Sequence, residues 1–529
     1  MPRPSRSTFV LLLLVIIAVA RVASTHRVFS ATADEPVHIA SGYDWLTRGV
    51  YIFDPEHPPL ARGLFGLGLR LGGVALAPPE DWRTLQPTWK ATNRGMDLLW
   101  QGGEYARNLA NARRGNLVFL IVAMFAVWAW ARRFSGATGS QPVGAVRRAE
   151  RPSLQIVSVV LFSTLPPILA HAGLATTDLA VAAMLPLALL ALERCLERPT
   201  LARAVLLGLA VGVGIASKLS FALFFVVAGA IVVIRFGVRQ LRLPHLKAAA
   251  IAAALHILVL WSVYCFEWGP VANVTTVSVP APTFVTGLVW AKVHEARGHF
   301  GFLLGDTSTE GWWYYFPVAL AVKTPLPFLL LFLAGAIAII RSKRAALHYV
   351  LIPIALLIVV MPVSLNIGVR HVLAVYPAMA IVAAFGVLEL WSKNRIARAI
   401  VVVLLASQFI ATSLAHPDYL AWFNEAAGSH PERILGDSNL DWGQDILRLS
   451  EVAREENIPH LSILLFGPAG FDRVALPPHT QLAPRVPVQG WIAVSETALQ
   501  SANPGDYDWL KAHRPKRRVG KSIRLYSIR

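Results

Sequence analysis

Apolar runs of about 15 to 25 residues alternate with short charged or aromatic stretches through most of this chain, the lengths a bilayer demands of spanning helices. They predict about eleven spans, over residues 9–22, 115–131, 154–170, 179–192, 204–216, 221–234, 248–265, 315–340, 350–365, 372–391 and 400–414. Three stretches are long: a first loop over 23–112, an aromatic-rich loop over 266–314, and a tail from residue 415. The tail differs in kind. RILGDSN, LSILLFG, GWIAVSE and SIRLYSI read as short buried strands, and DWGQDILRLSEVAREEN carries apolar residues at helical spacing behind capping residues. The pattern predicts an α-helical polytopic membrane domain over 1–414 and a small α/β domain over 415–529, whose ~110 residues suffice to enclose a core.

Composition agrees with a membrane protein. Of 529 residues, 55% are hydrophobic and only 15% charged, and the mean hydropathy is +0.53, which excludes an ordinary soluble protein. A net charge of +18 would suit nucleic acid if it formed one patch. It falls between the apolar runs instead, and no nucleic-acid partner is expected. Arg3 and Arg6 precede the first run; Arg132, Arg133, Arg147, Arg148 and Arg151 follow the second; Arg194, Arg198 and Arg203 follow the fourth. Further clusters are Arg235, Arg239, Arg242 and Lys247, then Arg341, Lys343 and Arg344, then Lys393, Arg395 and Arg398. With these loops in the cytoplasm the positive-inside rule holds throughout. The expected location is therefore the plasma membrane, the inner membrane of a bacterium, with a cytoplasmic amino terminus and an extracytoplasmic carboxyl terminus. The three long stretches share the outer face.

The amino-terminal run, with its basic start and small residues near Ala20, also fits a secretory signal peptide, and on either reading the segment after it is exported. Cys195 and Cys265 fall near opposite membrane faces and cannot pair. The basic tail KAHRPKRRVGKSIR is expected to meet lipid headgroups.

On this topology TADEPVHIASGYDWL sets Asp34 and Glu35 just past the first span. FDPEHPPLARG comes next, with His57, two prolines that fix the backbone, and Arg62. Asp54 in that loop reads as a merely solvated carboxylate. Asp178 stands at the outer start of the fourth span, Lys218 at the outer turn between the fifth and sixth, and Arg370 and His371 at the outer start of the tenth. Singly, each fits an interfacial anchor. Together they bring carboxylates and cations to one membrane face, an arrangement suited to activating a hydroxyl while holding an anionic phosphate. The rival from another class is a secondary transporter, whose coupling carboxylates sit in broken helices at the midplane between inverted halves. Here the ionisable residues gather at one face, and no paired halves stand out.

Two motifs fail on spacing. HEARGH resembles a zinc-protease signature, but His294 and His299 are five apart, and on a helix they would point about 140° from one another. DSNLDWGQD resembles a calcium loop, yet Gly443 comes one position late and Arg448 stands where a bidentate Glu is needed. Asp437, Asn439 and Asp441 read as strand-end and helix-capping residues. Trp312, Trp313, Tyr314 and Tyr315 fit an interfacial aromatic belt, with sugar stacking as the alternative.

DE followed by HPPL in the first external loop of a many-span chain resembles the GT-C glycosyltransferases of the protein-mannosyltransferase and aminoarabinose-transferase type. GWWYYFPVALAVKTPLP, RHVLAVYP and YLAWFNEAAG with DSNLDWGQD resemble a bacterial branch that uses phospholipid carriers. The resemblance covers nearly the whole chain. It implies that a single sugar passes from a polyprenyl-phosphate donor to an acceptor hydroxyl at the outer face, with inversion. The acceptor is protein Ser or Thr, or else lipid A or another glycan lipid. The resemblance further implies that Asp34 is the general base and that Glu35 organises acceptor or donor. Arg113, Lys218, Arg370 and His371 would neutralise the lipid phosphate, while His57, Arg62, Asp178 and His299 would bind substrate or support the site. It fixes no cofactor. A divalent metal at Asp34 and Glu35 stays open, because one Asp-Glu pair offers few ligands.

Overall fold

The computed structural model describes residues 6–78, 85–137, 153–271, 274–342, 344–468 and 470–529; Arg3, Arg147, Arg148, Arg151 and Lys343 lie outside them. α1 (Arg6–Ala23) leads into a first loop that is largely helical, with α2 (Glu35–Arg48), α3 (Pro59–Leu71), α4 (Thr88–Trp100) and α5 (Tyr105–Arg114). Pro36 and Pro59 sit in the first turns of α2 and α3, where a missing N–H costs nothing. Gly49, at φ +69°, ends α2. α2 and α3 cross at bare backbone: a Cβ on Gly66 would lie 2.6 Å from the carbonyl carbon of Gly42. These helices enclose their own apolar cluster, including Tyr43, Phe53, Phe65, Met96 and Leu109.

The bundle continues with α6 (Leu117–Ala137), α7 (Leu154–Ser163), α8 (Pro166–Ala172), α9 (Asp178–Glu197), α10 (Leu201–Ser217), α11 (Ser220–Phe236) and α12 (Leu243–Val263). The second long loop contains the hairpin β1 (Trp268–Pro270) with β2 (Ser278–Pro280), then α13 (Pro282–Arg297) and the hairpin β3 (Gly301–Leu303) with β4 (Asp306–Ser308). After it come α14 (Tyr315–Lys323), α15 (Leu326–Ser342), α16 (His348–Val360), a 3-10 segment Val369–Val375, α17 (Tyr376–Trp391) and α18 (Arg395–Leu414).

Among the described residues, five helical stretches are long and apolar enough to cross a bilayer, or up to seven if each of two bent pairs is one span. The shorter apolar helices α1, α10, α11 and α16 coincide with other predicted spans but are shorter than a full crossing. Half or more of Leu12, Ile16, Val402, Val403 and Phe409 is exposed, a surface only lipid would cover without penalty. The chain is an integral membrane protein.

Two predicted spans are not straight. The third bends by 66° between α7 and α8, and the eighth by 111° between α14 and α15. Each break stands before prolines, which remove a helical donor and push the preceding residue out of the helical region. Leu165 and Thr324 are accordingly extended, at ψ 118° and 134°. Apolar runs conceal such bends.

The basic residues meet at the end of the bundle away from the first loop. Arg133 Nε bonds Glu193 at 2.9 Å, Arg203 the Arg194 carbonyl at 2.6 Å, and Arg235 the Ala345 carbonyl at 2.9 Å. At the opposite end the tail forms α19 (Ile446–Glu455) and a five-stranded sheet of β5 (Leu461–Leu464), β6 (His479–Gln481), β7 (Gly490–Ser495), β8 (Arg517–Val519) and β9 (Ile523–Ile528), with α20 (Glu496–Gln500) after β7. The strand order is β6-β5-β7-β9-β8; β5 runs parallel to β6 and β7, and β9 antiparallel to β7 and β8. Leu449, Val452 and Ala453 of α19 pack on Leu461, Ile463, Ala493 and Leu525.

RILGDSN is not a strand. Apart from one bridge between Leu435 and Leu303, it turns through short 3-10 segments, because it is threaded into the membrane bundle instead of joining the sheet. Lys323 Nζ ties its last residue to the chain before it, donating to the carbonyls of Leu420 and Asn439 at 2.7 Å each and to that of Trp422.

Candidate active site

α2 begins with adjacent carboxylates that point to different partners. Glu35 is fully buried. Its Oε1 accepts from Arg113 Nε at 2.8 Å and Ala175 N at 2.7 Å, and its Oε2 from Arg113 Nη2 at 2.7 Å and Thr32 N at 2.9 Å. Arg113 places its other donors on the carbonyls of His26, Phe29 and Ser30 at 2.8–3.0 Å. Neither side chain has exposed surface, so Glu35 has no oxygen free for substrate and Arg113 no donor free for a phosphate. The pair instead fixes the entry to α2, and with it the residue before.

That residue is Asp34. It makes no capping bond with its side chain, which remains 38% exposed. One oxygen accepts from Arg370 Nη1 at 2.8 Å. Arg370 is nearly buried, lies 4.3 Å above the Trp442 ring, and comes within 3.9 Å of the buried Asp178. Its Nε has no hydrogen-bond partner among the described residues. Asp178 in turn pairs with Lys218. Asp34, Arg370, Asp178 and Lys218 thus form one alternating chain of charge, drawn from α2, the 3-10 segment, α9 and the end of α10.

Asp437 joins this group. It has φ +51°, is partly buried, and feels both Arg370 and Asp34. Burial raises its carboxyl above the usual range, Asp34 adds to the rise, and Arg370 opposes it. The same segment sets Arg370 in place: Val369 N donates to Asn439 Oδ1 at 3.0 Å, and Ser438 donates to the Ile367 carbonyl. Asn439 also donates to the buried Tyr315 hydroxyl at 2.9 Å. Tyr315 is therefore a core residue and not part of an exposed belt, whereas Trp313 is 66% exposed.

The loop after α2 closes another side. Arg62, fully buried, donates from Nε to His38 Nδ1 at 2.9 Å, from Nη1 to the Tyr51 hydroxyl at 2.8 Å, and from Nη2 to Asp54. His57 stands edge-on to His38 at 4.9 Å, with Nδ1 3.4 Å from Thr177 Oγ1, beside Asp178. Burial lowers the His57 pKa to about 4, so its ring is neutral at physiological pH. His371 stacks on Phe316 at 6.2 Å and feels Lys218, Arg370 and Asp178. His299 keeps its Nδ1 2.9 Å from the Phe300 carbonyl and lies at the edge of the cluster, where it influences Asp437.

Asp54 departs from the sequence reading. It is not a solvated carboxylate but the counter-ion of buried Arg62, a pairing across eight residues of loop. Asp54→Asn should strand that guanidinium and destabilise the protein by ~3–5 kcal/mol, read as a lower melting temperature.

The donor set does not suit a metal ion. Glu35 wraps Arg113 while Asp34 faces Arg370, and among the described residues no three His, Cys, Asp or Glu side chains are grouped to hold one. HEARGH is not one helix either. α13 ends at Arg297, and Gly298, at φ +71°, turns the chain so that the two histidine rings lie 5.8 Å apart.

No protein-family model and no curated protein matches this chain. Among solved structures it is similar to ArnT from Cupriavidus metallidurans bound to undecaprenyl phosphate, at a TM-score of 0.50 and 12% identity, over 98% of each chain. The chain has the GT-C fold. The archaeal oligosaccharyltransferase AglB from Archaeoglobus fulgidus, in complex with an inhibitory peptide and a dolichol-phosphate, is also similar, at 0.40 and 12% identity, over 76% of this chain and 55% of that one.

In this fold most of the residues singled out in the sequence divide into two sets. Asp34, Asp178, Lys218, Arg370, His57 and His371 come together; Glu35, Arg113 and Arg62 stand behind them as buried supports. Asp437 and Trp442 join the first set, although sequence reasoning did not select them. The available signal was DSNLDW itself, a segment too polar for the interior of a strand.

Proposed function

We propose that this protein is a membrane glycosyltransferase that moves one sugar from a polyprenyl-phosphate carrier to an acceptor hydroxyl. The observation that supports it is the half-exposed Asp34 carboxylate beside Arg370, whose Nε is unengaged, with Lys218 beyond Asp178 in the chain of charge. The acceptor oxygen attacks the anomeric carbon from the side opposite the phosphate, and its proton passes to Asp34. The carbon–oxygen bond to the phosphate breaks with its electron pair on the leaving group, which Arg370, Lys218 and His371 stabilise. The anomeric centre inverts. Glu35 and Arg113 act as positioning residues.

The test is binding of a short-chain polyprenyl phosphate to purified full-length variants. Lys218→Gln and Arg370→Gln should each weaken it by roughly tenfold or more, the scale of a lost hydrogen bond to a charged group. Unchanged affinity in both would return them to structural roles.

The site faces the exterior of the plasma membrane on this reading, supported by the basic residues gathered at the opposite end. A reporter active only outside the cytoplasm should work when fused after Arg529 and fail within residues 139–146, a segment outside the described residues. The reverse pattern would move the chemistry to the cytoplasm.

A further inference from the structure

A cavity of about 640 Å³ lies beside the ionic cluster, between the end of α2 and the second long loop. Its walls include Trp45, Tyr51, Tyr264, Glu267, Thr283 and Thr286. Its size falls within the ~300–1,000 Å³ range of small-molecule sites. It adjoins the proposed chemistry through Tyr51, whose hydroxyl donates to the His57 carbonyl and accepts from Arg62, and His57 leads to Thr177 and Asp178. α12, which ends just before Tyr264, packs along α10, which ends just before Lys218.

The lining has a definite chemistry. Among the described residues it contains the Glu267 carboxylate and no Lys, Arg or His, so it repels the phosphate that Lys218 and Arg370 would attract. Tyr264 is buried and its hydroxyl is sealed from solvent, so it presents its ring to the wall. Glu267 already orders one wall, its Oε1 accepting from Thr283 Oγ1 at 2.8 Å and its Oε2 from Thr283 N at 3.3 Å. Aromatic faces, hydroxyls and one carboxylate suit a sugar ring, neutral or amino-bearing, and not an anionic one.

We infer that this cavity binds a sugar unit of the acceptor, which makes the acceptor a glycan or glycolipid and not a bare Ser or Thr peptide. The inference rests on the glycosyl-transfer reading, but its test does not use transfer. Cys265 lines the cavity and is exposed, while Cys195 is buried, so the native thiol reports on occupancy. Full-length protein in lipid nanodiscs is treated with a small methanethiosulfonate, alone or with methyl hexoside, methyl aminohexoside, methyl hexuronoside or N-acetyl-threonine amide.

The neutral and amino glycosides should slow Cys265 modification by about fivefold once free ligand exceeds a millimolar Kd several times over. The uronoside and the threonine amide should not. Glu267→Gln should remove any preference for the amino sugar. Equal protection by the uronoside, protection by the threonine amide alone, or no protection by any glycoside would each overturn the inference. Lipid-phosphate binding in the same nanodiscs separates the two readings. If the phosphate binds through Lys218 and Arg370 and no glycoside protects, only the cavity assignment falls. If glycosides protect while the lysine and arginine variants bind phosphate normally, it is the transfer reading that fails.

Discussion

Asp34→Asn should insert and fold as the parent does yet transfer sugar at least a hundredfold more slowly, roughly the scale of a missing general base. Asn keeps the shape and still accepts from Arg370, but it cannot take the acceptor proton. The measurement is the initial rate with purified variants and a polyprenyl-phosphate sugar, at matched melting temperature. Asp54 cannot serve as the control, because it neutralises Arg62. Glu104, 55% exposed and 4.0 Å from the equally exposed Arg107, is the suitable one, and Glu104→Gln should leave the rate unchanged. If Asp34→Asn is as fast as the parent while Asp178→Asn is not, the base is Asp178.

Glu35→Gln should damage the protein for a different reason. Arg113 would be left charged in a site closed to solvent, and breaking a buried ion pair from one side costs about 3–5 kcal/mol. The expected result is a lower melting temperature, with transfer lost in proportion to the folded fraction. Replacing both partners, as Glu35→Gln with Arg113→Met, should recover part of the stability, since it removes the orphaned charge. Normal melting with transfer abolished would instead place Glu35 against the substrate.

These two experiments also mark where the sequence ceased to be readable. Hydropathy located the helices because the bilayer imposes a length and an apolar composition that no other environment demands together. It could not show that 315–340 turns through 111°, since the apolar run continues across Thr324 and Pro325. Asp34, Asp178, Lys218 and Arg370 were legible as a group because each is an ionisable residue at a span end. How they divide their work was not: the half-exposed Asp34 and the sealed Glu35 are neighbours in sequence, and their roles depend on which partner each meets. Asp437 escaped for a similar reason. An aspartate after glycine resembles a strand end or a cap, and only the threading of the tail beneath the 3-10 segment brings it to Arg370.

That threading bears on when the protein becomes competent during its synthesis. Asp34 leaves the ribosome 336 residues before Arg370, which comes with the tenth predicted span. The ring on which Arg370 rests is Trp442, and the amide before Arg370 is held by Asn439, both beyond the last membrane helix. A ribosome must therefore deliver every span and a further stretch of tail before the guanidinium is held against its carboxylate. Until then the nascent chain carries Asp34 and Arg370 without the contacts that align them.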